Sequence, residues 1–398
     1  MRHGVSQLLQ DVDLRGAQVV VNPAQAPPRK PRPKKKPTLF DAFPERIRLA
    51  DGTLIIREGP NDFVVKHADL DLDPRAPGEL RIGRLQLPSG YSWSRISGQT
   101  SYANKNFILR DLALSDQERI RLLSIDGSRV DSKALAVEIE GIVGGGQLSV
   151  SAALNEGGSS LNAKVDLTAE KIAAESLNKF LLLPKNYFYG EIERLALVGT
   201  GVIDSPRTWS GKMSLRVSNA HLAGVNFETG TVEVSAGQGK ATLRSGDIIQ
   251  QQNEFHLRGI IDLPETFAGF YRTPANLQVS GKLPDLKQFT GESSLGLTGS
   301  IQFDGKLDIV DVKLQSNFNV TGAAIGFSNG TIDKLDATVR ASKNLARDDT
   351  KRPWFAALRT AMEFTATGIR YGDYIVDSAE GTINGSNNSV LTVRGDSN

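Results

Sequence analysis

The residue types that most often carry chemistry are few in this chain, and they stand apart from one another. The chain has no cysteine and four histidines, His3, His67, His221 and His256. None of the four has a second histidine or a carboxylate at the spacing of a zinc site. In "AHL" and "FHL", His221 and His256 alternate with apolar neighbours, which predicts exposed strand residues. The lack of cysteine excludes disulfides, thiolate ligands and a cysteine nucleophile.

Serine, glycine and acidic patterns give no catalytic constellation either. A G-x-S-x-G nucleophile elbow does not occur in the chain. The glycine-rich "GIVGGGQL" at 141–148 lacks the lysine and the following helix of a phosphate loop, so it predicts a tight turn. Asp69, Asp71 and Asp73 alternate with apolar residues without a calcium-binding loop around them, which indicates a solvated strand face. We therefore expect a non-enzymatic protein with no cofactor and no metal.

The dominant pattern from about residue 45 onward is a period of two. In "QLSVSAAL" and "SLNAKVDL", every second residue is apolar. This alternation predicts strands with one apolar face and one solvated face. Glycine- and asparagine-rich turns separate the strands, and strands this close in sequence pair as antiparallel hairpins. We expect a mainly β fold with a long antiparallel sheet.

Two segments break this period and predict helices. "TAEKIAAESLNKFLLLP" at 168–184 predicts an amphipathic helix that Thr168 caps and Pro184 ends. "RPWFAALRTAMEF" at 352–364 predicts a second short helix, and "PDLKQF" at 284–289 predicts a single helical turn. The predicted segments are a strand-like end at 1–22, a disordered loop at 23–37, β segments at 38–167 and 185–345 around the first helix, a loop and short helix at 346–364, and strands at 365–398 that we expect to be truncated.

The loop at 23–37, "PAQAPPRKPRPKKKP", combines prolines with a run of basic residues. Like-charge repulsion and proline keep such a segment extended. We expect either a solvated loop or a contact with anionic lipid head groups. The chain as a whole has a net charge of only +2, and the run has no interleaved aromatics, so we expect no nucleic acid partner. The basic residues are Arg29, Lys30, Arg32, Lys34, Lys35 and Lys36.

One phrase without reactive groups occurs more than once. "FETGTV" begins at Phe227 and "FSNGTI" begins at Phe327, and both follow the pattern F-x-x-G-T. A looser copy, "LADGTL", has Leu49 in the place of the phenylalanine. We expect the glycine to permit a bend or a positive φ between two strands, and the phenylalanine to fill the curve above it.

A sheet with one apolar face must hide that face from water. It can pack on a second sheet, close into a barrel, or form a long curved trough that something other than protein keeps dry. Aromatic residues make up only 7% of the chain, and the inward positions are mostly small or aliphatic. This composition favours the trough, and the sandwich stays open as the alternative.

Three runs of the sequence resemble a known family. "FILRDLALSDQERIRLLSIDGSRVDSKALAVEIEGIVGGGQLSVSAAL" at 107–154 resembles the AsmA-like proteins. The runs at 223–265 and 365–383 are similar to segments of the large relatives of TamB, the translocation-and-assembly protein. The resemblance covers most of residues 45–395 and depends on the pattern of apolar residues and turns, not on a catalytic motif.

The resemblance implies a β-groove, apolar inside and polar outside, that crosses the periplasm of a Gram-negative-type bacterium from an inner-membrane anchor. It implies phospholipid transport between the two membranes, or assistance to outer-membrane assembly. No stretch of this chain provides the anchor, so we expect an internal or C-terminal fragment whose membrane contact lies in parts not present here.

The partners that follow from the resemblance are phospholipid acyl chains on an apolar groove. The alternative function is a scaffold that pairs its sheet edges with nascent strands or with outer-membrane β-barrel assembly proteins. In a sandwich, the same apolar positions would instead be ordinary core. The groove candidates are Leu148, Val150, Leu161, Val165, Val217, Val234, Phe255 and Leu257.

Overall fold

The computed structural model describes the chain in several stretches and divides it into two compact units. Unit 1 consists of Met1–Ile203 and His221–Gly224, and unit 2 consists of Asp204–Ala220 and Val225–Asn398. Each unit is described by itself below. The described residues are 11–21, 46–57, 62–157, 160–181, 188–222, 225–290, 296–345, 358–385 and 392–396.

Unit 1 is an antiparallel meander, with two short strands added in parallel at its start. Its strands are β1 (Asp11–Arg15), β2 (Gln18–Val21), β3 (Arg46–Ile56), β4 (Phe63–Leu72), β5 (Gly78–Gln86), β6 (Ser92–Ala103), β7 (Asn106–Ser115), β8 (Glu118–Asp126), β9 (Ala134–Val143), β10 (Gly146–Gly157), β11 (Ser160–Ala173) and β12 (Phe188–Val202). From β3 to β12, each strand pairs antiparallel with the next. Both β1 and β2 pair in parallel with β3.

Unit 2 repeats the same architecture. Its strands are β13 (Ser205–Leu222, whose last two residues belong to unit 1), β14 (Val225–Gly237), β15 (Lys240–Gln250), β16 (Asn253–Asp262), β17 (Ala275–Leu283), β18 (Thr298–Val310), β19 (Lys313–Phe327), β20 (Gly330–Asn344), β21 (Arg359–Tyr371), β22 (Tyr374–Gly385) and β23 (Thr392–Asp396). From β14 to β23, each strand pairs antiparallel with its successor.

The prediction of a mainly β, antiparallel fold is confirmed. Among the described residues of unit 1, no ladder joins β12 back to β3, so its sheet is open. Register shifts interrupt several ladders, for example between Leu49 and Gly52 and between Leu243 and Gly246. Such bulges increase the local twist and bend the strands, which curves each sheet.

The helices are short and differ in part from the prediction. They are α1 (Ala174–Leu181) and α2 (Leu286–Thr290), with 3₁₀ turns at Val130–Ser132 and Phe267–Arg272. The single turn predicted at 284–289 is confirmed by α2. Neither α-helix, within the part of the chain that the structure describes, has the length and hydropathy of a membrane-spanning segment.

The helix predicted at 168–184 begins six residues later than expected. Thr168 is not a helix cap, because residues 168–173 continue β11. Thr168 pairs with Ser149 on one side and with Ala196 on the other, so the ladder satisfies backbone groups on both edges. Pairing with both neighbours outweighs the local amphipathic pattern.

The helix predicted at 352–364 is wrong over its last six residues. Arg359–Tyr371 is the strand β21, and residues 352–357 lie outside the described residues. Met362 and Phe364 alternate on one face of this strand, opposite Val339 and Ala337 of β20. The period of two governs this segment too.

The repeated phrase is a packing unit of an apolar side chain over a glycine. A Cβ atom at Gly330 would lie 2.7 Å from the ring of Phe327, and one at Gly230 would lie 2.9 Å from the ring of Phe227. In the loose copy, a Cβ at Gly52 would lie 2.7 Å from Leu49 Cδ2. The predicted contact is confirmed in all three copies. Of the two alternatives expected at the glycine, a bend or a positive φ, none of the three glycines adopts the positive φ. Only the Gly330 copy connects two strands.

A Gly330→Ala substitution is expected to lower the free energy of unfolding by about 1–3 kcal/mol, the usual cost of overpacking. The new methyl would meet the ring of Phe327 and, at 2.9 Å, the backbone oxygen of Arg370. Urea denaturation followed by circular dichroism measures the change. Gly237→Ala is the matched control, because a Cβ there meets nothing within 4 Å. An equal loss in both variants would show that the ring contact is not the cause.

Candidate functional site

The apolar residues of unit 1 form rows that run across neighbouring strands on one face of the sheet. Cross-strand partners share a face, so a row is a continuous strip of side chains. The first row is Leu109, Leu123, Ile139, Val150, Leu167 and Leu197. The second row is Phe107, Ile125, Val137, Ala152 and Val165. We call this surface the unit 1 apolar face.

Most of the unit 1 apolar face is half-buried. In the first row only Leu109 is closed off from solvent, and from Leu123 to Leu197 the side chains keep part of their surface. The core of a β-sandwich would enclose such residues from both sides. Among the described residues, no second sheet closes over this face. The face is therefore apolar, continuous and partly open.

The unit 1 apolar face is closed off from solvent between β5 and β8. Ile96, Leu109 and Leu112 are buried there, at 1%, 3% and 6% exposure. Trp93 packs against this cluster, and its indole Nε1 donates a hydrogen bond to Glu118 Oε2 at 3.1 Å. Ser115 Oγ donates to the same carboxylate oxygen at 2.6 Å, so the buried Glu118 has two donors. This cluster is the packed core of unit 1.

Unit 2 carries two corresponding rows, which we call the unit 2 apolar face. The first row is Phe255, Gly281, Phe303, Val320, Ala337 and Phe364. The second row is Leu257, Val279, Gly305, Phe318, Val339 and Met362. Every side chain in both rows is half-buried. As in unit 1, the described residues include no second sheet over the rows.

Aromatic rings and glycines alternate across the strands of the unit 2 apolar face. A Cβ at Gly281 would lie 2.4 Å from the ring of Phe303, and one at Gly305 would lie 2.5 Å from the ring of Phe318. The Phe303 ring also contacts the rings of Phe255 and Phe318, each with centroids 6.1 Å apart. The rings cover glycines of neighbouring strands and pack tilted or edge to face against one another, which makes a continuous apolar floor.

The eight predicted positions divide equally between the two units. Leu148, Val150 and Val165 lie on the unit 1 apolar face, and Leu161 lies at its margin against the buried Val130 and Leu135. In unit 2, Phe255 and Leu257 start the two rows.

The other two predicted positions lie on strands before those rows. Val234 pairs with Leu243 of β15, and Val217 is 6% exposed beside Gly230. The structure thus brings each set of four onto the apolar side of its own unit.

Sequence reasoning missed the aromatic residues of β18, β19 and β21. The signal was present in "SIQFDGKLDIV", where Ile301, Phe303 and Leu307 alternate with polar residues. Met362 and Phe364 were assigned to a helix instead of a strand. These residues complete the rows of the unit 2 apolar face.

The opposite faces are polar, and His67 and His256 lie on them. His67 Nδ1 lies 2.8 Å from Asp51 Oδ1, and His256 Nδ1 lies 2.7 Å from Asp247 Oδ1. His221 and His256 are half-buried, not exposed as predicted. The ring of His221 stacks on that of Tyr189, with the centroids 4.4 Å apart. No cluster of three His, Asp or Glu residues suited to a metal ion occurs within the described stretches.

Among the described residues, the shifted pKa values belong to surface pairs. Arg81 Nη2 donates a hydrogen bond to Glu79 Oε2 at 2.6 Å, which lowers the pKa of Glu79 and raises that of Arg81. The pKa of Asp126 is lowered by hydrogen bonds from the hydroxyl and the backbone N–H of Ser128. These groups stabilise exposed turns and strands and do not form a reactive centre.

The basic run from Arg29 to Lys36 lies outside the described residues. Comparison of the chain with protein-family models, with curated proteins and with solved structures gives no match. The function is therefore inferred from the residues and geometry of the chain itself.

Proposed function

We propose that this chain is a non-enzymatic, AsmA-like carrier of phospholipid between the inner and outer membranes. Acyl chains lie on the apolar faces of the two units, and the polar faces stay in water. The periplasm of a Gram-negative-type bacterium is the compartment in which such a carrier works, and the lack of cysteine suits an oxidising compartment.

The observation that supports this function most strongly is the open, continuous apolar surface. Val150 has apolar partners on both sides, Ile139 and Leu167, and all three are half-buried. Exposed apolar surface of this extent normally marks a binding site. Because a row crosses several strands, it offers a path along the sheet and not a single closed cavity.

The energetics require only a dry surface. Keeping an acyl chain of roughly a dozen methylenes out of water is worth about 10 kcal/mol at ~0.8 kcal/mol per methylene. An aliphatic and aromatic floor replaces the contacts that the chain had in the bilayer, so transfer between the two costs little. No covalent step is needed for such a transfer.

The resemblance to AsmA-like and TamB-related sequences supports the same function from an independent direction. The phrase "GIVGGGQLSVSAAL", which is part of that resemblance, forms the hairpin from β9 to β10. Leu148 and Val150 in this hairpin lie on the unit 1 apolar face. A stretch that resembles the AsmA-like proteins thus also contributes residues to the unit 1 apolar face.

The test is mass spectrometry of lipids extracted from the chain after purification without detergent. We expect phospholipid near a stoichiometric amount. A Val150→Asp variant is expected to retain less than a tenth of it, because a carboxylate on the apolar face must keep its water. Ser149→Asp is the matched control, since Ser149 faces the polar side opposite Glu140 and Thr168. A folded chain without lipid in every variant would rule the carrier function out.

A scaffold function by edge pairing is the second candidate, and β2 favours it. Val19, Val20 and Val21 are 51%, 46% and 41% exposed, and β2 pairs only with β3 among the described strands. An edge with exposed apolar residues is a template for another strand. The test is binding of an added β-hairpin peptide to the chain. If the chain is free of lipid, binds the peptide and no longer binds it after a Val20→Pro substitution, the scaffold function replaces the carrier function.

A further inference from the structure

The polar face of unit 2 carries two adjoining concavities, on the side of the sheet opposite its apolar face. The first has a volume of 680 Å³ and is lined by residues of β16, β17, β18 and β19. The second has a volume of 720 Å³ and extends from β18 to β22. Lys306 and Asn317 line both. Together they form a trough that runs across the strands.

The floor of this trough is a single row of cross-strand partners, which we call the polar row. It consists of Arg258, Gln278, Lys306, Asn317 and Arg340. Cations stand on β16, β18 and β20, and side-chain amides stand on the two strands between them. Neighbouring strands are about 4.8 Å apart, so successive cations of the row are about 10 Å apart.

The cations of the polar row are available to a ligand. Arg258 and Lys306 form no ion pair with any described residue. Arg340 Nη1 lies 2.8 Å from Glu363 Oε1, but both side chains are more than half exposed. An exposed ion pair of this kind contributes little to stability, so an anionic ligand can readily replace Glu363 as the partner of Arg340.

The charge balance along the trough favours an anion. Its lining contains four cationic side chains and two carboxylates. One carboxylate, Asp308, already accepts a hydrogen bond from Asn276 Nδ2. Asp304 and Asp308 each lie one row away from Lys306 on β18, and Glu363, outside the lining, pairs with Arg340. The trough therefore has an excess of positive charge that is spread out along its length, with amides between the charges.

We propose that the polar row of unit 2 binds a linear acidic polysaccharide with one carboxylate per disaccharide. A disaccharide repeat is close in length to two strand spacings, so each carboxylate meets a cation. The amides of Gln278 and Asn317 both donate and accept hydrogen bonds, which suits the hydroxyls of the intervening sugars. Lipid on the apolar face is not involved, so this site is independent of the proposed transport.

The spacing and composition of the row disfavour nucleic acid. A nucleic acid strand carries a phosphate about every 3.4 Å, far more densely than the cations of the row. Base binding also uses stacking on aromatic side chains. The described residues that line the trough include no phenylalanine, tyrosine or tryptophan.

The test is isothermal titration of the full chain with a hyaluronan octasaccharide, which has one carboxylate per disaccharide. We expect binding at low ionic strength, and no binding of a neutral chitin-derived octasaccharide. Lys306→Gln is expected to weaken binding roughly fivefold, as the loss of one exposed ion pair does. Arg258→Gln together with Lys306→Gln is expected to weaken it by more than tenfold.

Lys282→Gln is the matched control, since Lys282 is an exposed residue of β17 outside both concavities and pairs with Gln302. It is expected to bind like the unchanged chain. All of these changes are at exposed positions, and circular dichroism checks that each variant is folded. Equal binding of the neutral sugar, or unchanged binding by the folded double variant, would overturn the proposal. Tighter binding of a single-stranded DNA octamer that depends on Lys306 would overturn it as well.

Discussion

A photo-reactive phenylalanine analogue at position 257 is expected to form a covalent adduct with phospholipid, and the same analogue at position 258 is expected to form none. Leu257 belongs to the unit 2 apolar face, between Gly246 and Val279 of the neighbouring strands. Arg258 is the next residue of the same strand and faces the polar trough. The two positions are adjacent in the chain and lie on opposite faces of the sheet.

The same contrast is expected in unit 1 between positions 150 and 149. Val150 is on the apolar face and Ser149 is not, so an adduct is expected only at position 150. An aromatic analogue introduces no charge, so this experiment leaves the apolar face apolar. Mass spectrometry of the digested chain, after irradiation in cells, locates the adduct and identifies the lipid.

Adducts at both members of each pair would indicate non-specific contact with membrane and would remove the support for a directed apolar path. Adducts in one unit only would restrict the carrier function to that unit. Adducts at neither face would leave the apolar rows as ordinary sheet packing, in favour of the scaffold function.

The faces of the strands could be predicted from sequence, because they depend on a local period of two. "QLSVSAAL" places Leu148 and Val150 on one face whatever the strand pairs with. The rows could not be predicted, because a row depends on register. Register depends on turn lengths and on bulges, such as the shift between Glu233 and Val234.

The contacts between rings and glycines on the unit 2 apolar face could not be predicted either, because they also depend on register. The chain has 16 phenylalanines and 39 glycines, and nothing local says which ring lies over which glycine. Within F-x-x-G-T the two residues are close in sequence, and the contact was predicted. Phe303 and Gly281 lie on different strands, and their contact follows only from the pairing of β17 with β18.

The misplaced helix start has a related cause. In residues 168–173 the buried Ala169 and Ile172 are three positions apart, which fits one turn of a helix, and the strand accommodates this spacing by a positive φ at Lys171. The choice depends on whether β10 and β12 are present to pair with them, which is information from 20 or so residues away in each direction. The polar row could not be predicted for the same reason, since Arg258, Lys306 and Arg340 align only through four ladders and the amide residues between them.

An Ile96→Ala variant is expected to lower the free energy of unfolding of unit 1 by about 2–5 kcal/mol, as large-to-small changes in cores do. Ile96 is the most completely buried of the large side chains in the cluster with Leu109 and Leu112. Its removal leaves a cavity under side chains that ladder hydrogen bonds hold in place. Since a domain has about 5–15 kcal/mol of stability, the loss is a large share of the total.

Trp93 packs against this cluster, so its fluorescence reports the unfolding of unit 1 in a background in which Trp209 and Trp354 are replaced by phenylalanine. Ile203→Ala is the matched control, because the Ile203 side chain is 40% exposed to water in the folded protein. Its truncation is therefore expected to lower the free energy of unfolding by less than about 1 kcal/mol. If the two variants were equally stable, Ile96 would not be core. The cluster between β5 and β8 would then contribute no more to the stability of unit 1 than an exposed position does.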